Sequence, residues 1–186
     1  GELWRHSVAV SVGAGLLGIR GVTDRFASYA DHNIPLVLAF NEMYAQGLQT
    51  GQAARNVLLN PGDTQGEKNY ATAVEAFEKA RQSAEKLAAD RPTLRTELQK
   101  LTTLWKEDDE LKRQVQALAK QGKRDEAVKV LVAAETPKWR EVRAILVNLW
   151  TAEKKAMEQT RADVDRVVRS ALLWAFGLAA LALVGV

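Results

Sequence analysis

The sequence closes on SALLWAFGLAALALVGV, residues 170–186, with no charged side chain, although 26% of the chain is Asp, Glu, Lys or Arg. A run this apolar needs either a fold that surrounds it on every side or a bilayer. As a helix at about 1.5 Å per residue it reaches roughly 26 Å, close to the ~30 Å hydrocarbon core of a membrane. Its terminal position favours a membrane span, expected to continue past Val186.

The other end repeats the theme more weakly. Ser7 to Ile19 is apolar or small, and Leu3 to Val22 makes a span if Arg5, His6 and Arg20 snorkel from its ends. Residues 1–22 are therefore expected to be a first transmembrane helix, truncated at its amino end, and 170–186 a second, truncated at its carboxy end. Between them, 23–169 is expected to form one extracytoplasmic domain. Arg5 and His6 lie inside by the positive-inside rule, and Arg166 and Arg169 anchor the outer edge of the second span, where Trp174 is an interfacial aromatic. Such a topology puts the middle of the chain on the far side of a membrane.

The middle reads as all-α. There are only four prolines, and every strong punctuation mark falls between stretches of helical periodicity. The first helix, about 35–60, carries a 4-3 seam of Leu36, Phe40, Met43, Gly47, Thr50, Ala54 and Val57. Pro61, Gly62 and Gly66 end it. The second, about 67–88, has Tyr70, Ala73, Phe77, Ala80, Ala84 and Leu87 on one seam. A third, about 91–121, is expected to be capped by Asp90, with Pro92 in its first turn and Leu94, Leu101, Leu104, Leu111, Val115 and Leu118 inward. Gly122 stops it. The fourth, about 124–169, carries Val128, Leu131, Val142, Ile145, Leu149 and Ala156, with a break near 136–137. Short connections make successive helices antiparallel. The expectation is an antiparallel up-down four-helix bundle whose first and last helices extend into the membrane, in a homodimer, since one chain alone would be a thin rod near the bilayer.

Several function classes drop out. The net charge of +3 comes from interspersed charges, so no nucleic-acid partner is implied. With no cysteine, disulfides, Cys-ligated zinc and iron–sulfur clusters are excluded. His6 and His32 are the only histidines and no catalytic constellation stands out, so the chain is read as a non-enzyme without cofactor or metal. KEDDE, 106–110, is a solvated face, because adjacent helical residues point about 100° apart and cannot converge on one ion. Asp108 differs from its neighbours: it lies on the seam between Leu104 and Leu111, where a carboxylate needs a partner.

Two stretches carry a family likeness: GLQTGQAARNVLLNP in the first helix and KQGKRDEAVKVLVAAETPKWREVRAIL opening the fourth. They resemble the extracytoplasmic four-helix-bundle sensor domain of bacterial methyl-accepting chemotaxis receptors, and the likeness covers essentially the whole chain. Related bundles also front sensor histidine kinases and diguanylate cyclases. The resemblance implies a dimeric receptor that binds a small molecule near its membrane-distal end, with first-helix arginines holding a carboxylate, and that signals by a small displacement of its last helix. Arg55 matches one such arginine. The family's other basic positions fall near Gly51 and Gln46, a departure from the aspartate-type pattern.

Counted in helical rises, Arg55 and Asp108 come level, so Arg55 either pairs with Asp108 or holds an anionic ligand. A break at Thr136–Pro137 would free backbone N–H groups beside Trp139, Arg140 and Arg143 and make an anion site. Alternatively, Pro137 opens a restarted helix with Trp139 in the core and both arginines in solvent. Tyr44, Gln49 and Asn56 join the candidates by proximity. The function expected is a transmembrane chemoreceptor module for a small anion or carboxylate. The alternative is a membrane-anchored bundle that dimerises or docks a partner such as a periplasmic binding protein.

Overall fold

A computed structural model describes residues 21–23, 27 and 29–184, with 175 and 178–184 described by their backbone alone. The described residues are all-helical, a bundle-like fold without strands. A π-helical segment, Tyr29–Asn33, precedes α1, Ile34–Leu59. Then come α2, Thr64–Leu87, and α3, Pro92–Lys120. A short α4, Arg124–Val130, a π-helical turn, Leu131–Glu135, and a long α5, Thr136–Val184, follow without a gap. Pro35–Glu153 is one compact unit, and the residues on either side of it make up another.

Local chemistry explains the ends. Asp63 accepts hydrogen bonds from the N–H groups of Gln65 (3.1 Å) and Gly66 (3.0 Å), so α2 starts at Thr64, before the expected 67. Asp90 does not cap α3. Pro92 takes the first helical position, which leaves the cap to Arg91, one residue beyond Asp90 and without a side-chain cap bond. At the other end Gly122 adopts φ +75°, while Gly122 N–H donates to Ala119 O and Lys123 N–H to Leu118 O. That pair of bonds is the Schellman closure, and the positive φ is what glycine supplies to it.

On α1 the expected seam is all buried: Leu36, Phe40, Met43, Gly47, Thr50, Ala54 and Val57. On α3 it is displaced by one residue. Leu104, Leu111 and Leu118 are half-buried, and the core positions are Leu94, Leu98, Leu101, Trp105, Asp108, Lys112, Val115 and Ala119. This set keeps the 4-3 rhythm without a lapse and brings Trp105 flat against Phe77, ring centroids 3.6 Å apart. Burying a side chain of that size contributes about 3 kcal/mol, enough to fix the helix's rotation against the pull of three flanking leucines that still cover part of their surface.

The expected break at 136–137 is absent. Leu131 (φ −56°, ψ −48°) and Thr136 (φ −61°, ψ −42°) are both right-handed helical, and the Thr136 N–H donates to Leu131 O, five residues back. Pro137 has no N–H to give and its ring would crowd the preceding turn. A widened turn relieves that crowding without breaking the helix. The extra residue re-phases everything after it. Ahead of it Ala127 is buried and Val128 40% exposed, and from the turn onward Glu135, Trp139, Val142, Leu146, Leu149 and Glu153 face inward.

Of the two expected membrane spans, 1–22 lies outside the described residues apart from 21 and 22. Residues 170–184 are helical as part of α5, and Leu172, Leu173, Trp174 and Phe176 are all exposed. Among the described residues no helix is long and apolar enough to cross a membrane, and 175 and 178–186 contribute no side chain to that description.

Candidate functional site

The apolar core of the Pro35–Glu153 unit is interrupted. Its larger cluster runs from Leu36 through Phe77 and Trp105 to Trp139 and Leu149, and a smaller one joins Leu58, Val115, Ala119 and Ala127. Along α3 the residues between Trp105 and Val115 that face inward are Asp108 and Lys112, both fully buried. The π-helical turn supplies Glu135, also fully buried, and α1 supplies Thr50 and Gly51 at the same interruption. A layer of charge thus lies between two layers of hydrocarbon.

Spacing on α3 makes the first contact. Residues four apart share a helix face, and the Lys112 ammonium donates a hydrogen bond to Asp108 Oδ2. The same ammonium lies 3.9 Å from Glu135 Oε1. It also stands 5.2 Å from the ring centre of Trp105 and 4.9 Å from that of Trp139, so two aromatic faces supply the contacts that water would otherwise give a cation. Glu135 Oε2 takes the Thr136 hydroxyl at 3.0 Å and faces the Arg55 guanidinium at 3.5 Å. Two carboxylates and two cations balance, with Arg55 the only one of the four that reaches solvent, at 43% side-chain exposure.

The balance is electrostatic but incomplete in hydrogen bonds. Asp108 Oδ1 and Glu135 Oε1 are buried and accept none. Burial pushes the Asp108 carboxyl up to about 6. The Lys112 charge and hydrogen bond oppose that push, and the neighbouring Glu135 and Asp109 charges add to it. One turn away Tyr70 donates to Asp109 Oδ1 at 2.6 Å, and its phenol is held above its ordinary value by burial first and by Asp109 second.

Close approach to α1 depends on Gly47. A Cβ on Gly47 would lie 2.2 Å from the Trp139 indole, so that ring rests directly on the α1 backbone. A Cβ on Gly51 would lie 2.9 Å from the Arg55 guanidinium and 3.8 Å from Lys112 Cε. At Gly47 glycine is required for space and not for φ, whereas at Gly51 the part-exposed Arg55 side chain can move aside.

The residues singled out in the sequence divide into three groups. Arg55 does not pair with Asp108: its partner is Glu135, because the nearer Lys112 already occupies Asp108. Thr136 holds Glu135, and Trp139 is buried against Lys112, with its N–H-freeing break replaced by the continuous π-helical turn. Tyr44 and Arg143 meet beside them, the guanidinium 5.9 Å from the Tyr44 ring and that ring 6.5 Å from Trp139. Arg140, Asn56 and Gln49 are exposed and enter none of these contacts. Of KEDDE, Lys106, Glu107 and Glu110 are exposed, but Asp108 is in the core and Asp109 is half-buried under Tyr70.

Lys112, Glu135 and Trp105 were missed. The signal for the first and last was the unbroken 4-3 spacing that links Leu101, Trp105, Asp108, Lys112 and Val115. Glu135 had no such signal, since the extra residue of the π-helical turn breaks the rhythm just before it.

A separate cleft of about 430 Å³ opens where α3 begins, lined by Arg91, Leu94, Ile145, Leu149 and Glu153 among others. There the buried Glu153 carboxylate accepts from Arg91. Among the described residues no group of three His, Asp or Glu side chains is placed to hold a metal ion. Comparison with protein-family models, with curated proteins and with solved structures finds no match to this chain.

Proposed function

We propose that this chain is the sensor module of a bacterial transmembrane receptor of the methyl-accepting chemotaxis type. In this reading it is a periplasmic or extracellular up-down four-helix bundle, anchored in the inner membrane by its first and last helices. A small anion or carboxylate binds beside Arg55, Tyr44 and Arg143, and the signal leaves through a displacement of the last helix. The observation that carries the reading is α5 itself. It is assigned as one helix from Thr136, which holds the buried Glu135, to a charge-free stretch whose Leu172, Leu173, Trp174 and Phe176 are exposed. Large apolar side chains left bare on a helix call for a covering, and a bilayer supplies one.

The order of contacts supports the up-down path. Glu67, Tyr70, Phe77 and Glu85 of α2 meet Lys120, Asp109, Trp105 and Thr102 of α3, numbers rising on one helix as they fall on the other. Tyr44, Gly47 and Arg55 of α1 meet Arg143, Trp139 and Glu135 in the same reversed order. Bundles read this way can move one helix along its neighbour by about 1–2 Å without unfolding. A ligand drives such a shift only by binding one packing more tightly than the other.

A second reading has its own observation. Leu38, Ala45, Leu48 and Leu59 are exposed on one side of α1, at spacings of 7, 3 and 11 residues, a face turned away from the core. It supports a homodimer, which the receptor reading shares. It equally supports a membrane-anchored dimerising or partner-binding bundle with no small-molecule ligand, as in the sensor part of a histidine kinase or diguanylate cyclase. The full chain in nanodiscs, unfolded thermally against organic acids, amino acids and inorganic anions, separates the two. A ligand at a hundred times its dissociation constant adds about 2.7 kcal/mol, a shift of several degrees. A selective rise that is lost in Arg55→Ala supports the receptor; no rise with any compound, in a folded preparation, favours the partner-binding bundle.

A further inference from the structure

The buried layer holds more carboxylate oxygens than donors. Lys112 serves Asp108 Oδ2 and stands 3.9 Å from Glu135 Oε1; Arg55 and Thr136 are both at Glu135 Oε2. Asp108 Oδ1 and Glu135 Oε1 are left with no hydrogen bond. An unpaired oxygen on an ionised, fully buried carboxylate is costly, and two carboxylates that share one ammonium also repel each other. A single proton removes both costs. It neutralises one carboxylate and creates an O–H donor where a donor is lacking.

We propose that Asp108, which shares the Lys112 ammonium with Glu135, is a proton-binding site that takes up one proton in mildly acidic medium, and that uptake loosens the tie between Arg55 on α1 and Glu135. With both acids ionised the layer is neutral, two charges of each sign. With one proton added the cations are in excess, and Lys112, released from a neutral Asp108, turns to the remaining carboxylate. Lys112 is enclosed by Trp105 and Trp139 and cannot leave. Arg55 is 43% exposed and can, so the excess cation is shed on the α1 side.

The other charged groups around Asp108 leave this assignment intact. On its own helix these are Lys112 and Asp109, and Asp109 is engaged by Tyr70 of α2 and Arg113. From the π-helical turn comes Glu135, and from α1 comes Arg55, through Glu135. On α5 the nearest cations look elsewhere: Lys138 to Glu107 and Glu141, Arg143 to Tyr44. Burial pushes the Asp108 carboxyl upward in agreement. Joined to the receptor reading, on which this one step rests, the site makes proton concentration a stimulus that the bundle reads.

The test uses the full chain in nanodiscs with ¹³C-labelled Asp and Glu carboxyls, titrated from about pH 8 to about pH 4, a range that brackets ordinary carboxyl values. Asp108→Asn and Glu135→Gln assign the two resonances. Asp108 is expected to titrate above the ordinary carboxyl value, with the Trp139 indole ¹⁵N–H moving at the same midpoint. Asp108 titrating at its ordinary value or lower overturns the site, and so does a raised titration that leaves the Trp139 signal still. If Asp108→Asn does not fold, the wild-type titration and Glu135→Gln decide alone, since a high-titrating carboxyl that persists in Glu135→Gln with a static indole belongs elsewhere. The receptor reading fails by a different result, a chain that relays no signal although Asp108 titrates.

Discussion

Replacing Lys112 with methionine puts the charge layer to a test whose sign reverses. Methionine keeps the length and apolar volume of the lysine stem and deletes the ammonium. What is lost is the hydrogen bond to Asp108, the approach to Glu135 at 3.9 Å, and the cation's place 5.2 Å and 4.9 Å from two indole rings. Asp108 is then fully buried with neither oxygen hydrogen-bonded, and Arg55 faces two carboxylates alone. Leaving one partner of a buried pair uncompensated costs about 3–5 kcal/mol, a drop of roughly 10 °C or more in the midpoint for a domain of this size.

The double variant Asp108→Leu with Lys112→Met removes one charge of each sign. Glu135 keeps Arg55 and Thr136, and the layer is neutral again. Apolar replacement of a whole buried pair is commonly neutral or stabilising, so the double variant should recover to within about 1 kcal/mol of wild type. Urea unfolding of the full chain, followed by tryptophan fluorescence and far-UV circular dichroism, measures all of these variants, including Asp108→Leu alone. Strict additivity, with the double variant as unstable as the two single losses combined, would refute the charge-balance reasoning.

Two further outcomes follow from the same geometry. Asp108 has its folded value raised to about 6, so between about pH 4 and pH 6 the folded chain binds more proton than the unfolded one, and stability declines as pH rises through that window. The Asp108 contribution, about 3 kcal/mol when followed from below the ordinary carboxyl value to above the raised one, should be absent from Asp108→Asn; a difference between the wild-type and Asp108→Asn profiles that does not decline across the window contradicts the raised value. Gly47→Ala gains about 1 kcal/mol of helix propensity but sets a methyl 2.2 Å from Trp139, and overpacking of that kind costs about 1–3 kcal/mol. Net destabilisation with a changed Trp139 fluorescence is expected, and a stabilised Gly47→Ala would show that the indole does not rest on α1.

How much of this could be read in the sequence depends on what each position announces. The α1 seam was legible because large apolar residues, and then small ones, keep an unbroken 4-3 rhythm from Leu36 to Val57. On α3 the same rhythm runs from Leu94 to Ala119, but it passes through a tryptophan, an aspartate and a lysine, while Leu104, Leu111 and Leu118 sit one residue off and draw the eye. Hydrophobic periodicity discounts charge, so it rotated the helix by one position. Pro137 announced a break that a π-helical turn absorbs, and the added residue hid Glu135 from any periodic count. Arg55 was singled out by its match to an arginine of the chemotaxis-receptor bundles, and of the two roles left open for it, pairing with Asp108 is ruled out by Lys112, which the periodic reading did not place in the core.

That concealment bears on why a bundle would keep charge in its core at all. In α3 the heptad positions equivalent to Lys112 are Trp105, stacked on Phe77, and Ala119, packed with Leu58 and Ala127. A slip of α3 by one heptad either way would carry the ammonium into one of those apolar layers and leave Glu135 and Arg55 facing hydrocarbon. Each uncompensated buried charge then costs several kcal/mol, against a loss of only a few contacts if every core residue were leucine. A purely apolar seam of this rhythm tolerates such slips, and a single polar layer is the best-attested device against them. Asp108, Lys112, Glu135 and Arg55 come from α3, the π-helical turn and α1, so their pairing fixes those three elements in one register at once.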